Sequence, residues 1–104
     1  MIVVTADQIE GQTISKTVGL VKGSTIRARH VGRDIMASLR GIVGGEISEY
    51  TKMMAQAREE ALARMMEDAE SKGANAVVAM RFGTSMVMQN ASEVVAYGTG
   101  VVLG

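Results

Sequence analysis

The sequence predicts an α+β fold, and three observations carry that prediction. Short β-branched or alternating runs occupy both ends of the chain, from Ile2 to Val31 and from Asn75 to Leu103. Between them the apolar spacing changes from two residues to three and four, the period of an amphipathic helix. A glycine pair, Gly44-Gly45, then divides that middle stretch in two. Strands, helix, helix, strands is a layered α+β order. The 104 residues contain no Pro, no low-complexity linker and no internal repeat, so residues 1–104 form one domain.

Taken in order, Ile2 to Val4 is a short strand, and Thr13 to Val18 is another, broken by Gly19. From Ser24 to Val31 the pattern alternates: Ile26, Ala28 and His30 point one way, Thr25, Arg27, Arg29 and Val31 the other. Gly19 to Gly23 is then the turn of a hairpin. Asp34 is placed to cap a helix on which Ile35, Met36, Leu39, Ile42 and Val43 recur at helical spacing. Gly44-Gly45 breaks or kinks it, since neither residue offers a side chain and both lose backbone freedom. A longer helix follows, striped by Ile47, Tyr50, Met54, Ala57, Ala61, Met65 and Ala69. Glu46 and Glu49 suit its start and Lys72 its end. Glu60 with Arg64, and Asp68 with Lys72, stand one turn apart with the acid first, each pair worth ~0.3 kcal/mol on a solvated face. Gly73 is the left-handed stop. Asn75 to Phe82 is apolar on both alternating sets and interrupted only by Arg81. Thr84 to Gln89 reads as a short strand, Asn90-Ala91 as a corner, and Ser92 to Leu103 as a long strand relieved by Gly98 and Gly100.

Strands apolar on both faces need cover on both, and one kinked helix hairpin covers one. The nearest available cover for so short a chain is a copy of itself, which predicts a homo-oligomer. Charge placement agrees: Lys22 to Arg40 holds five basic residues and one acid, whereas Glu46 to Lys72 holds seven acids and four bases. Such patches attract one another between subunits. Composition excludes several alternatives. With 11 Lys+Arg against 11 Asp+Glu, the chain lacks the positive field that sequence-independent binding to nucleic acid or anionic membrane requires. The absence of Cys removes disulfides, thiolate metal sites and thiol nucleophiles. No apolar run approaches a membrane span, and Met1 to Asp7 has neither the basic start nor the apolar length of a signal peptide, so a soluble cytoplasmic protein is expected.

Three blocks of the sequence resemble a known family. The run RHVGRDIMASLRGIVGGEISEYTKMM, from Arg29 to Met54, is similar to the signature of the YbjQ-like family of heavy-metal-binding proteins. GANAVVAMRFGTSMVM, Gly73 to Met88, and EVVAYGTGVVL, Glu93 to Leu103, resemble its other two blocks. The resemblance implies a dodecin-like subunit, a helical crossover on a small antiparallel sheet, assembled as a homo-oligomeric ring, a pentamer. It brings no catalytic residue set, and the chain has no Trp to stack on a flavin as dodecins do.

Several residues are candidates for chemistry. His30, the sole imidazole, and Asp34 four residues later are two ligands for a borderline metal ion, to be completed by Glu46, Glu49 or a neighbouring chain. The bland alternative is a hydrogen-bonded structural His. Met80, Met86 and Met88 are thioethers suited to a soft ion, or else core filling. Arg27, Arg29 and Arg33 precede the helix start at Asp34 and form a candidate anion site for phosphate or carboxylate, unless Glu46 and Glu49 neutralise them. The Gly41 to Gly45 run lacks the Gly-Lys-Ser/Thr ending of a phosphate loop and reads as a hinge. No nucleophile or base stands out, so the expectation is a non-enzymatic protein. The alternative is small-anion or small-ligand binding and storage at subunit interfaces.

Overall fold

The computed structural model describes residues 1–28, 48–88 and 91–104. Among them are four strands and one helix: β1 (Ile2–Val3), β2 (Ile14–Ala28), α1 (Ser48–Ser71), β3 (Ala76–Met88) and β4 (Ala91–Leu103). The strands form one sheet in the order β1-β3-β4-β2. β4 is antiparallel to both β2 and β3, whereas β1 runs parallel to β3. The sheet is therefore mixed, not wholly antiparallel as the resemblance implied. The α+β class holds. The helix expected from Asp34, its kink at Gly44-Gly45 and the corner at Asn90 lie outside the described residues.

The expected hairpin at Gly19 to Gly23 does not form. β2 runs unbroken through both glycines and pairs with β4 along its length, from Ile14 opposite Leu103 to Ala28 opposite Ala91. Each glycine serves another purpose. At Gly19 the backbone takes a φ of +121°, beside a register shift between Thr17 and Gly19 that local irregularity absorbs. At Gly23 the reason is proximity: a Cβ there would lie 2.2 Å from the backbone N of Met65 and 2.5 Å from the backbone O of Ala61. The helix rests directly on the strand, and only a residue without a side chain fits between them.

The helix stripe is as the spacing predicts. Ala57, Ala61, Met65 and Ala69 are fully buried and pack with Val21, Val77, Met80, Val94 and Ala96 of the sheet. Small residues on the helix and glycine on the strand bring the two layers close, and among the described residues Met65 is the one large side chain fully buried from the helix. Gly73 stops the helix with a φ of +87°, and the Gly73 and Ala74 amides donate to the Glu70 and Ala69 carbonyls.

The segments expected as Asn75–Phe82 and Thr84–Gln89 are one strand, β3, since Gly83 continues the pairing opposite Val95. Its irregularity comes earlier. Ala79 has a φ of +53°, and the register with β4 shifts between Val78 and Arg81. The N-terminal segment is stitched to this bulge: the Met80 amide donates to the Val4 carbonyl at 3.0 Å, the Ala79 amide to the Ala6 carbonyl at 2.8 Å, and Arg81 Nη1 to the Thr5 carbonyl at 2.8 Å. The same segment covers part of the face opposite the helix, where Val4, Ile9, Ile14 and Leu103 pack on Ala76, Val78 and Val101.

That cover stops short. Directly paired residues share a face, and Val21 and Thr25 lie under the helix, so Leu20, Lys22, Ser24 and Ile26 lie on the other side with Thr99, Tyr97, Val95 and Glu93. Leu20 is 61% exposed and Ile26 59%. The radius of gyration is 17.1 Å, where a compact chain of this length measures ~13 Å.

Candidate functional site

The most organised polar arrangement in the described residues runs along the outer edge of β2. A strand at the end of a sheet leaves every second residue's N–H and C=O without a strand partner. Along β2, three of these groups are taken up by two side chains of α1 and by Lys72, the residue just past its end. The Ser24 carbonyl accepts from Arg64 Nη1 at 2.6 Å, the Lys22 amide donates to the Asp68 carboxylate at 2.9 Å, and the Leu20 carbonyl accepts from Lys72 Nζ at 3.2 Å. The spacing is commensurate. Four helix residues advance ~6 Å and two strand residues ~6.6 Å, so a column at i, i+4 and i+8 meets strand positions two apart. The column stands beside the buried one because Glu60, Arg64 and Asp68 each immediately precede a buried helix position, Ala61, Met65 and Ala69.

Charge organises the same column. Glu60 bridges two guanidinium groups, Arg27 from β2 and Arg64 one turn along the helix, and Lys72 Nζ lies 3.2 Å from Asp68 Oδ2. The Lys22 amide, with Lys72 assisting, holds the Asp68 carboxyl below its ordinary range against a smaller opposing effect of burial. The two helix pairs expected from sequence are thus present, and both also reach across to the strand. Sequence reading missed that second role. Its signal was a four-residue charge column matching a two-residue strand period, which becomes readable only once strand and helix are known to lie antiparallel.

On the uncovered face, Lys22, Tyr97 and Arg81 stand in one row across three strands. Tyr97 is 40% exposed, and its ring edge lies beside Gly83, 3.9 Å from where a Cβ would be. Arg81 is oriented by the carbonyls of Thr5 and Met80, both accepting from Nη1 at 2.8 Å.

Of the residues nominated from sequence, His30, Asp34, Arg29 and Arg33 lie outside the described residues, as do Glu46 and the structure at Gly41–Gly45. Arg27 is described, and its guanidinium is engaged by Glu60. The three methionines do not converge. All lie on β3, with Met80 buried under the helix while Met86 and Met88 are exposed, and Met86 is six residues or ~20 Å further along the strand than Met80. Among the described residues no three His, Cys, Asp or Glu side chains come together to hold a metal ion. A surface depression of about 280 Å³ near the N-terminus is lined by Gln8, Ile9, Gln12, Thr13 and Ile14, none of them ionisable. The described residues therefore do not fit a heavy-metal site, and they contain no helix long and apolar enough to cross a membrane.

Comparison with known proteins places this geometry among relatives. A family model described as "Putative heavy-metal-binding", YbjQ_1, matches residues 1–104. A UPF0145 protein of Dehalococcoides mccartyi strain BAV1 is 62% identical over 103 residues, covering 99% of each chain. One from Clostridioides difficile strain 630 is 57% identical over 99% of this chain and 92% of its own. One from Methanosarcina acetivorans is 58% identical over 97% and 95%. Among solved structures, a DUF74-family protein of unknown function from Pediococcus pentosaceus superposes with a TM-score of 0.71 at 18% identity, over 100% of this chain and 98% of that one. That likeness speaks for the fold.

Proposed function

The chain belongs to the YbjQ-like family over its whole length, and on that premise we propose that it works as a non-enzymatic, cytoplasmic homo-oligomer, a ring of identical subunits. The observation that carries the reading is the half-finished sheet. The N-terminal segment covers one end of the outer face, and Leu20, Ile26 and Tyr97 stand in water over the rest. Fully burying a Leu or Ile is worth about 2 kcal/mol, so a neighbouring subunit laid over this face gains stability that the lone chain forgoes. The excess radius of gyration supports the same conclusion. Ion binding, in this proposal, rests on His30, the sole imidazole, and Asp34 four residues later, completed by Glu46, Glu49 or a neighbouring chain.

Native mass spectrometry tests both parts. The expected spectrum shows a multiple of the 11.0 kDa chain, five for a pentameric ring. A single folded chain overturns the assembly. Stoichiometric metal that disappears in His30→Ala and in Asp34→Ala supports the ion site, and occupancy unchanged in both overturns it.

A further inference from the structure

We infer that the N-terminal segment is a register lock: Val4 to Ala6 hold one extra residue in β3, and that residue decides that Met80 enters the core and Arg81 stays out of it. The lock lies within a single subunit. Between Val78, opposite Thr99, and Arg81, opposite Tyr97, β3 advances three residues while β4 advances two. Paired continuously from Val78, Met80 would instead stand opposite Tyr97 on the outer face and Arg81 opposite Ala96, which is fully buried under the helix. Arg81 would then enter the cluster of Ala57, Ala61, Met65 and Val94, side chains that offer its charge nothing. Apolar patterning does not settle the choice, because Ala76 to Phe82 is apolar on both alternating sets and only Arg81 interrupts it.

Nor does the backbone favour the extra residue by itself. Ala79 sits at a φ of +53°, a left-handed conformation that residues with a side chain seldom adopt. The N-terminal segment supplies what the strand lacks. Amides of a regular strand point alternately to its two sides, yet those of Ala79 and Met80 point the same way, and the Ala6 and Val4 carbonyls accept them at 2.8 and 3.0 Å. The Val4 amide in turn donates to the Val77 carbonyl at 2.9 Å, which seats the segment just ahead of the bulge. Arg81 bolts it from the far side, with Nη1 donating to the Thr5 and Met80 carbonyls. On β4, Gly98 makes room: a Cβ there would lie 2.7 Å from Val77 Cγ1, 3.0 Å from the Val78 carbonyl oxygen and 3.2 Å from Met80 Cα. The half of β3 before the bulge is pinned to the end of β4. The Asn75 amide donates to the Val101 carbonyl, and the Asn75 side chain exchanges hydrogen bonds with Leu103. A slip that removes the bulge therefore moves the half from Arg81 onward.

The test reads the register directly, from cross-strand contacts in NMR spectra of the full chain. Val4→Pro has no amide for the Val77 carbonyl and unseats the segment, while Arg81→Leu removes both the bolt and the charge that bars position 81 from the core. The parent and each single variant are expected to keep Thr84 opposite Val94. With both substitutions, Thr84 moves opposite Glu93 and position 81 opposite Ala96. Adding Ala79→Gly restores the pairing of Thr84 with Val94, because glycine takes the left-handed conformation unaided. A double variant that is folded by far-UV circular dichroism and keeps Thr84 opposite Val94 overturns the inference, as does a slip that Ala79→Gly leaves in place. Should the double variant not fold, amide exchange in the parent decides. The Ala79 and Met80 amides are expected to exchange within about threefold of the Val4 amide, and protection about tenfold greater than that of Val4 overturns the lock.

Discussion

The outer edge of β2 and the outer edge of β3 belong to one sheet and face opposite fates. Along β2, three backbone groups meet Arg64, Asp68 and Lys72, set one helical turn apart. Along β3 beyond Arg81, the described residues supply no counterpart, and the sequence turns apolar and uncharged. The difference teaches that the helix does two things at once: its small-residue column seals one face, and its charged column closes one edge. Among the described residues, part of the other face and the far end of the other edge are left without such a seal. Both are surfaces that another copy is able to cover.

The comparison breaks most readily at Gly23, where the helix touches β2. A Cβ there meets backbone atoms of Met65 and Ala61, so the helix must lift and the charged column withdraws with it. Gly23→Ala is expected to destabilise by about 3 kcal/mol, read from the urea midpoint, and an unchanged midpoint contradicts the close approach. Met65→Ala removes a large, fully buried helix side chain and is expected to cost about 2.5 kcal/mol in the same assay.

The column itself is probed at Asp68. Asp68→Ala strips the Lys22 amide and Lys72 of their partner and is expected to cost about 1 kcal/mol near neutral pH. The folded carboxyl titrates below its ordinary range, so its contribution is fully present above the unfolded value and lost as pH falls through the folded one. The stability gap between parent and Asp68→Ala is therefore flat from neutral pH to about 5 and closes below about 4. A gap that widens on acidification contradicts the assignment. The smallest effect is expected at Arg27→Gln, under about 1 kcal/mol, because the pair with Glu60 is about one-third exposed on both sides and screened by solvent. High salt is expected to shrink that difference further.

Much of this arrangement is legible in the sequence, and the parts that are not share a cause. The buried helix column at Ala57, Ala61, Met65 and Ala69 and the stop at Gly73 follow from local periodicity and backbone chemistry. Gly19 and Gly23 mislead because a glycine that relaxes a strand and one that admits a helix look the same as one that turns a hairpin. Which applies depends on what lies 40 residues away, as Gly23 does from the helix. The parallel pairing of Ile2 with Ala76 is likewise a long-range fact without a local sign. Of the candidate site, Arg27 is seen paired with Glu60, and the soft-ion trio is undone by strand geometry, since one strand holds all three methionines. His30 and Asp34 lie outside the described residues.

Sedimentation equilibrium over a hundredfold dilution measures most directly whether identical chains complete the sheet. The account predicts a mass several times 11.0 kDa that falls, on dilution, together with loss of folded signal. A well-folded particle of one chain at every concentration would contradict it.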